Sequence, residues 1–177
     1  MILIVITLVI CLIVFMGVMY HDKLSFLNIK LKNIEEKINS TLIKRKSLIQ
    51  DSETIIKEVL NTDKQIYENL TEINNQSINM MELDRKLLIY INEFYLIKDK
   101  YKKLQNNENF QQIAYAINET EDKLNAYKEY YNDNASKYNE LIQKFPLNII
   151  SFFKKRKEKN FFDQKSINDN DYNDFKY

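Results

Sequence analysis

The sequence contains almost none of the residues that interrupt regular secondary structure. Its 177 residues include one glycine, Gly17, and one proline, Pro146. Folds built from many short strands depend on glycine and proline in their tight turns, so the composition argues against them. Long helices need neither residue, because both destabilise a helix interior. The composition therefore predicts an all-α fold made of long helices.

Residues that carry metal or catalytic chemistry are equally scarce. Cys11 and His21 are the only cysteine and the only histidine. A single cysteine excludes an internal disulfide and a cysteine-based zinc site. His21 has no ligand or acid–base partner at a defined spacing, and no glycine after Gly17 is present to build a phosphate-binding loop. We therefore predict no catalytic residue, no metal and no cofactor, and a protein that is not an enzyme.

A large excess of charge of either sign is also missing. The sequence has 26 lysines and arginines against 25 aspartates and glutamates, so it has no overall positive field to attract DNA or RNA. Tyr127 and Tyr130 lie among acidic residues, whereas single-stranded nucleic acid stacks on rings within a basic groove. The carboxylates at 119–122 fit a solvated helix face. We therefore predict no nucleic-acid partner.

What the sequence does have is a long apolar start. Residues 1–20, MILIVITLVICLIVFMGVMY, carry no charged side chain. As a helix they would span about 30 Å, the hydrocarbon thickness of a bilayer. A cleaved signal peptide has a basic start and small residues at its cleavage site, and neither is present here. We therefore predict a transmembrane anchor over 1–20, in preference to a signal peptide or a buried helix.

The lysines around this span predict its orientation. Lys23, Lys30 and Lys32 follow the span, and no lysine or arginine precedes it. Cationic residues that flank a span favour the cytoplasmic side of the membrane. We therefore expect the N-terminus outside the cell and the bulk of the chain in the cytoplasm.

Residues 21–145 carry apolar residues at helical spacing almost throughout, in four stripes that begin at Leu27, Ile49, Leu83 and Phe110. The sequence QNNEN at 105–109 is the clearest loop, with Asn109 as the N-cap of the last helix. Weaker breaks lie near 46–52 and 75–80. With all three breaks the domain is an antiparallel four-helix bundle, and without the first two it is a longer coiled coil. We favour the bundle, because about 125 residues suffice to bury a core.

Residues 146–177 form a juxtamembrane segment and a polar tail, which we expect to be disordered after Phe162. Pro146 has no amide donor and is expected to end the last helix at Lys144–Phe145. In a four-helix arrangement this helix returns to the membrane, so the apolar LNIISFF and the basic KKRKEK after it would reach lipid. Alternatively, the apolar part caps the bundle core. The candidate lipid-contacting residues are Phe152, Phe153, Lys154, Lys155, Arg156, Lys157 and Lys159.

Several short motifs in the C-terminal half match a known family. They are Asn109-Phe110, Glu119-Thr120-Glu121, Tyr131-Asn132, Tyr138-Asn139, Ile142 and Phe145-Pro146, with Phe161-Phe162 further on. On these residues the chain resembles the LemA family of bacterial membrane proteins. Lys44-Arg45 followed by Leu48-Ile49 is similar to part of the family's upstream motif, although Gln50 stands where the family has a proline. The resemblance covers residues 24–162 and implies a single-pass protein with a cytoplasmic antiparallel helical bundle.

The residues and the resemblance together predict a membrane-anchored helical-bundle protein. We expect a non-catalytic scaffold or interaction module of the LemA type at the bacterial cell membrane. Its expected partners are the lipid bilayer and an unidentified membrane or cytoplasmic protein, and homo-oligomerisation is left open. The alternative is an accessory protein that senses or shapes the membrane through its C-terminal apolar and basic segment.

Overall fold

The structure, a computed structural model, describes residues 1–67, 79–145 and 147–163. These residues form five helices: α1 (Ile2–Leu60), α2 (Met80–Lys100), α3 (Lys102–Gln105), α4 (Glu108–Gln143) and α5 (Leu147–Phe153). No strand occurs in the described ranges, and the all-α prediction is confirmed. The chain divides into two compact units. The first contains residues 1–36 and 128–162, and the second contains residues 37–127 and the chain from Asp163.

The break expected near residues 46–52 is wrong, because α1 continues through them. Arg45, Ile49, Ser52 and Ile56 are fully buried and recur every three or four residues, so helical geometry keeps them on one face. The Ser52 hydroxyl donates to the Ile49 carbonyl at 2.7 Å and lies 2.8 Å from the Tyr67 hydroxyl. Its polar group is therefore satisfied within a continuous helix, and the stretch does not form a turn.

The four-helix arrangement is not confirmed. The described residues contain three helices of at least 21 residues, namely α1, α2 and α4. Residues 61–67, where the second of four helices would continue, are not helical. The stripe that begins at Leu27 and the first part of the stripe that begins at Ile49 both lie on α1, so this helix continues through the first break that was expected.

α1 ends at a Schellman motif built on Asn61. Its φ of 50° lies in the left-handed region, which asparagine tolerates better than most residues. The Thr62 N–H donates to the Lys57 carbonyl at 3.1 Å, and the Asn61 N–H donates to the Glu58 carbonyl at 3.4 Å. These bonds satisfy carbonyls at the helix end, so the chain turns here without a glycine.

Asparagines cap the starts of α2 and α4. The Asn79 side chain accepts the Glu82 N–H at 2.9 Å as α2 begins, while residues 75–78 of the expected break lie outside the described residues. The loop expected at 105–109 is shorter than predicted: α3 ends at Gln105 and α4 begins at Glu108, so only residues 106–107 separate the two helices. Its capping residue is Asn107 and not Asn109, because the Asn107 Oδ1 accepts the Phe110 N–H at 2.9 Å. An N-cap bonds the amide two or three residues ahead, and Phe110 is the first buried residue of α4.

The core of the second unit joins α1, α2 and α4. Phe94 of α2 stacks on Phe110 of α4 with ring centroids 4.7 Å apart, and Tyr67 meets Tyr90 edge to face at 6.1 Å. The other buried members of this cluster are Ile49, Ile56, Ile91, Leu104, Ile113, Ala114 and Ile117. Most of them belong to the predicted stripes, so these helices bury the face that the sequence indicated.

In the first unit, α1 changes from exposed to buried. The apolar side chains between Ile2 and Phe15 are all exposed. α1 is the one helix of the described chain that is long and apolar enough to cross a membrane, which is compatible with an anchor. The buried apolar residues of this unit further along the chain are Leu24, Leu27, Leu31 and Ile34 on α1, Tyr131, Ala135, Tyr138, Leu141 and Ile142 on α4, Leu147 on α5, and Phe162.

α4 ends at Gln143, one residue before the expected stop. Pro146 itself lies outside the described residues, as do residues 164–177 of the tail. α5 then ends in a second Schellman motif, in which Lys155 adopts a φ of 49° and the Arg156 N–H donates to the Ser151 carbonyl at 3.0 Å. The chain turns at this point and continues without regular structure to Asp163.

Candidate functional site

Two asparagines of α4 hold the segment that follows α5. The Asn139 side chain donates to the Lys159 carbonyl at 2.9 Å and accepts the Lys159 N–H at 2.7 Å. Asn132 makes the same two bonds with Phe162, each at 2.8 Å. A carboxamide can pair with a backbone in this way because it carries a donor and an acceptor side by side. These asparagine clamps fix residues 159–162 along α4, antiparallel to it.

A buried tyrosine precedes each asparagine clamp. Tyr131 and Tyr138 are seven residues apart on the buried face of α4, where the apolar stripe placed them. Tyr131 packs edge to face against Phe162 at 5.1 Å. Burial, together with the nearby Glu35 carboxylate, raises the pKa of the Tyr131 phenol to about 12. Glu35 also lies 3.5 Å from the Lys159 Nζ, so the clamped segment packs against α1 as well.

Sequence reasoning missed both asparagine clamps. Asparagine is a weak helix former, because its side chain competes for backbone hydrogen bonds. Asn132 and Asn139 nevertheless stand inside a long helix, each directly after a tyrosine of the core stripe. This repeated Tyr-Asn pair was the available signal, and it indicates side chains recruited to hold another segment.

The predicted lipid-contacting residues have different surroundings. Phe152 is 79% exposed on α5, and the three lysines Lys154, Lys155 and Lys157 are exposed after it. Arg156 and Lys159 are half-buried. The side chain of Phe153 lies outside the described ones. Of this set, Lys159 is engaged by an asparagine clamp and by Glu35, whereas the three exposed lysines and Phe152 have the exposure that lipid contact requires.

An apolar cleft lies between α5 and the end of the apolar run of α1. Its volume is about 620 Å³, and His21 and Lys154 are the polar side chains among its lining residues. The apolar lining residues are Ile13, Val14, Gly17 and Val18 of α1 with Phe145, Ile149 and Ile150. No neighbouring atom lies within 4 Å of a Cβ placed on Gly17, so the glycine borders open space in the cleft.

A smaller polar cavity follows along α1. It has a volume of about 90 Å³ and is lined by Leu24, Ser25, Asn28, Tyr138 and Arg156. The Nη1 atom of Arg156 is buried without a hydrogen-bond partner among the described residues. Buried donors are nearly always paired, because an unmet one costs the desolvation of the group. The cavity therefore places a cationic donor beside a serine, an asparagine and a tyrosine.

The second unit buries an ionic cluster that joins three helices. Arg45 of α1 is 0% exposed. Its Nη2 donates to Glu121 Oε2 at 2.5 Å, its Nε donates to the Thr120 hydroxyl at 3.2 Å, and its Nη1 lies 3.8 Å from Asp84 Oδ1 of α2. The Thr120 hydroxyl donates in turn to the Ile117 carbonyl at 2.7 Å. We call these residues the Arg45 cluster; it brings together the Lys44-Arg45 and Glu119-Thr120-Glu121 motifs.

The expectation of a solvated face at 119–122 is wrong for Glu121, which is buried in this cluster. It holds for Glu119, which remains partly exposed and pairs with Lys123 at 2.6 Å and with Lys44 at 3.5 Å. The hydrogen bond from Lys123, more than the charge of Lys44, lowers the pKa of the Glu119 carboxyl. The signal for the buried pair was Arg45 itself, because it falls between Leu42 and Ile49 on an apolar stripe, where a charge requires a partner.

The LemA family model matches residues 34–173 of the chain, which is well over half of it. No curated protein and no solved structure matches the chain. The matched range contains the Arg45 cluster and both asparagine clamps. The residues that make these contacts therefore all lie within the family region.

Proposed function

Because the chain belongs to the LemA family, we propose that it is a membrane-anchored, non-catalytic scaffold or interaction module at the bacterial cell membrane. The observation that supports this most directly is α1, in which an exposed apolar run and a buried packing face belong to one helix. An exposed apolar surface of that length is stable in a bilayer and unstable in water. The buried face of α1 would therefore be connected to the anchor by continuous helix, without a flexible linker.

In the proposed orientation the N-terminus lies outside the cell and the packed residues lie in the cytoplasm, as the lysines after the span favour. The test uses a cysteine at Ser47, an exposed position of α1, in a Cys11→Ala background. A membrane-impermeant thiol reagent should label this cysteine only after the cells are lysed. Labelling in intact cells would reverse the orientation.

The interaction role is supported by large apolar side chains that remain exposed in the second unit. Ile43 of α1, Leu96 of α2 and Tyr115 of α4 are each more than half exposed, and Tyr115 is 75% exposed. Aromatic and large apolar side chains contribute most to partner binding at interfaces. We propose that the partner protein contacts one or more of these side chains.

A photoreactive amino acid tests these three positions in native membranes. It is introduced separately at Ile43, Leu96 and Tyr115, and at Glu129, an exposed charged residue of the first unit, as the control. A scaffold should yield one discrete partner from the apolar positions and not from Glu129. The same partner should be captured after Lys154, Lys155 and Lys157 are changed to glutamine. Absence of any discrete adduct at all three positions would contradict a scaffold role.

The second candidate function is sensing or shaping of the membrane by residues 147–159. The exposure of Phe152 and of three nearby lysines favours it, since an apolar side chain beside cations is suited to an anionic bilayer surface. Under this alternative, the glutamine variants should stay in the membrane through the proposed anchor but should lose any effect on vesicle curvature. A scaffold would retain partner capture in the same variants, which separates the two functions.

A further inference from the structure

We propose that the first unit binds one anionic phospholipid, with an acyl chain in the apolar cleft and the phosphate of the headgroup at Lys154 and Arg156. The inference rests on the membrane anchoring proposed above. It adds a defined lipid site to what would otherwise be general attraction between a basic segment and a bilayer.

The position of the cleft determines what can cover it. Its α1 wall, Ile13 to Val18, belongs to the apolar run, whose side chains from Ile2 to Leu12 are exposed. With that run in a bilayer, the cleft opens to lipid hydrocarbon and not to water. A volume of about 620 Å³ is typical of sites that bind small organic ligands. An acyl chain is therefore the ligand that is present at the opening and matches its lining.

The polar groups lie at one end of this cleft, in an order that matches a phospholipid. Along α1 the lining residues Val14, Val18, His21, Ser25 and Asn28 recur every three or four positions, so they share one helix face. The first two are apolar and the last two are polar. A lipid placed along this face has its hydrocarbon at the apolar end and its headgroup at the polar end.

Two cations supply the charge that an anionic headgroup needs. Lys154 lines the apolar cleft and Arg156 lines the polar cavity, where its Nη1 has no partner among the described residues. A phosphate oxygen accepts strong charge-assisted hydrogen bonds from such groups. Lys155 and Lys157 belong to the same basic segment but line neither cavity. This difference within one short segment makes the proposal testable against diffuse attraction.

The experiment uses the full chain in nanodiscs of phosphatidylcholine and phosphatidylglycerol, in which the phosphatidylglycerol carries a diazirine on an acyl chain. After irradiation, adducts should map to the peptides that contain Gly17 and Ile149. Native mass spectrometry of the detergent-released protein should show one retained phosphatidylglycerol per chain. Helical circular dichroism verifies that each variant below is folded.

Two matched pairs of variants test the two ends of the site. Lys154→Gln with Arg156→Gln should weaken phosphatidylglycerol retention about fivefold for each cation lost, the equivalent of about 1 kcal/mol each. Lys155→Gln with Lys157→Gln removes the same charge and should leave retention unchanged. Gly17→Leu fills the cleft and should abolish acyl labelling there, whereas Cys11→Leu adds bulk at an exposed position outside the cleft and should not.

Several outcomes would overturn the lipid site. If the two pairs of glutamine variants lose phosphatidylglycerol retention equally, retention is due to diffuse attraction by the basic segment. If acyl labelling is unchanged in Gly17→Leu, the cleft is not where the acyl chain binds. Adducts between two chains at Gly17 would show that a second copy covers it. In each case a chain that still fractionates with membranes leaves the anchored function standing. A chain that does not enter the nanodisc would refute the anchor instead.

Discussion

Replacing Arg45 by methionine tests the Arg45 cluster most directly. The guanidinium is fully buried and pairs with both Asp84 and Glu121. Methionine has a similar length and no charge, so Arg45→Met preserves most of the packing of α1 on α4. It leaves two buried carboxylates and the Thr120 hydroxyl without the guanidinium.

The size of the effect follows from this burial. Removal of one partner from a buried ion pair costs about 3–5 kcal/mol, because the remaining charge is desolvated without compensation. For a chain of this length, 1 kcal/mol corresponds to about 2–4 °C in melting temperature, so we expect a decrease of roughly 6–20 °C. The melting temperature of Arg45→Lys should lie between those of the wild type and Arg45→Met. Lysine keeps the positive charge, but its ammonium cannot reproduce the planar fork of donors of the guanidinium.

The assay is thermal unfolding of the full chain in detergent micelles, followed by circular dichroism. Lys44→Met is the matched control, since it removes the same charge from the adjacent residue. Lys44 lies 3.5 Å from Glu119 with both side chains substantially exposed, and exposed pairs contribute about 0–1 kcal/mol. Its melting temperature should therefore remain within about 4 °C of the wild type.

A second set of variants separates charge from packing. Adding Asp84→Asn and Glu121→Gln to Arg45→Met neutralises the carboxylates and should restore part of the lost stability. If Arg45→Met and Lys44→Met melt at the same temperature, the Arg45 cluster does not stabilise the fold as argued.

Three further predictions concern the asparagine clamps, the buried phenol and the end of α1. Asn139→Leu removes two hydrogen bonds to Lys159 worth together about 1–3 kcal/mol, so hydrogen exchange at that amide should accelerate about 5- to 150-fold; unchanged exchange would refute the clamp. Since the pKa of Tyr131 is raised to about 12, the folded state keeps a proton that the unfolded chain loses near pH 10, and the free energy of unfolding should decline as pH rises between these values. Measured by urea unfolding, this decline in the free energy of unfolding should be smaller in Tyr131→Phe. The exposed control Tyr115→Phe should show the same decline as the wild type. Asn61→Val places a β-branched residue at positive φ and should lower stability by about 1–2 kcal/mol in thermal unfolding, whereas Asn61→Gly should not; equal stability of the two would contradict the Schellman motif.

The helices were predictable because each buries one face, and apolar residues at that face repeat with the helical period. The stripe from Phe110 to Ile117, for example, leads directly to the buried side of α4. The break near 46–52 was predicted wrongly. Ser52 is buried and bonded to its own helix, and the sequence gives no sign of the partner Tyr67 that completes its environment.

The segment after α5 was the least predictable part of the candidate site. Residues 156–163 form no helix or strand, so they have no period to detect, and their position depends on side chains of Asn132 and Asn139. The partners of Arg45 were equally hidden, because Glu121 is 76 residues away in sequence. A stripe identifies which residues are buried, but the pairing of distant charges is decided only when the helices pack.

The long separation between α1 and its contacts has a consequence for synthesis. Lys159 is made 124 residues after Glu35, so at about 5–20 residues per second the ribosome takes roughly 6–25 s to supply this contact. During the first part of that interval, before α4 (Glu108–Gln143) is made, the apolar stripe of α1 has no α4 to cover it. An amphipathic helix in this state adsorbs to a bilayer surface, and a chain anchored through residues 1–20, as proposed above, would have one beside it. We therefore expect the membrane to shelter nascent α1 until the end of the chain is released, so that translation on ribosomes without membranes yields aggregated protein.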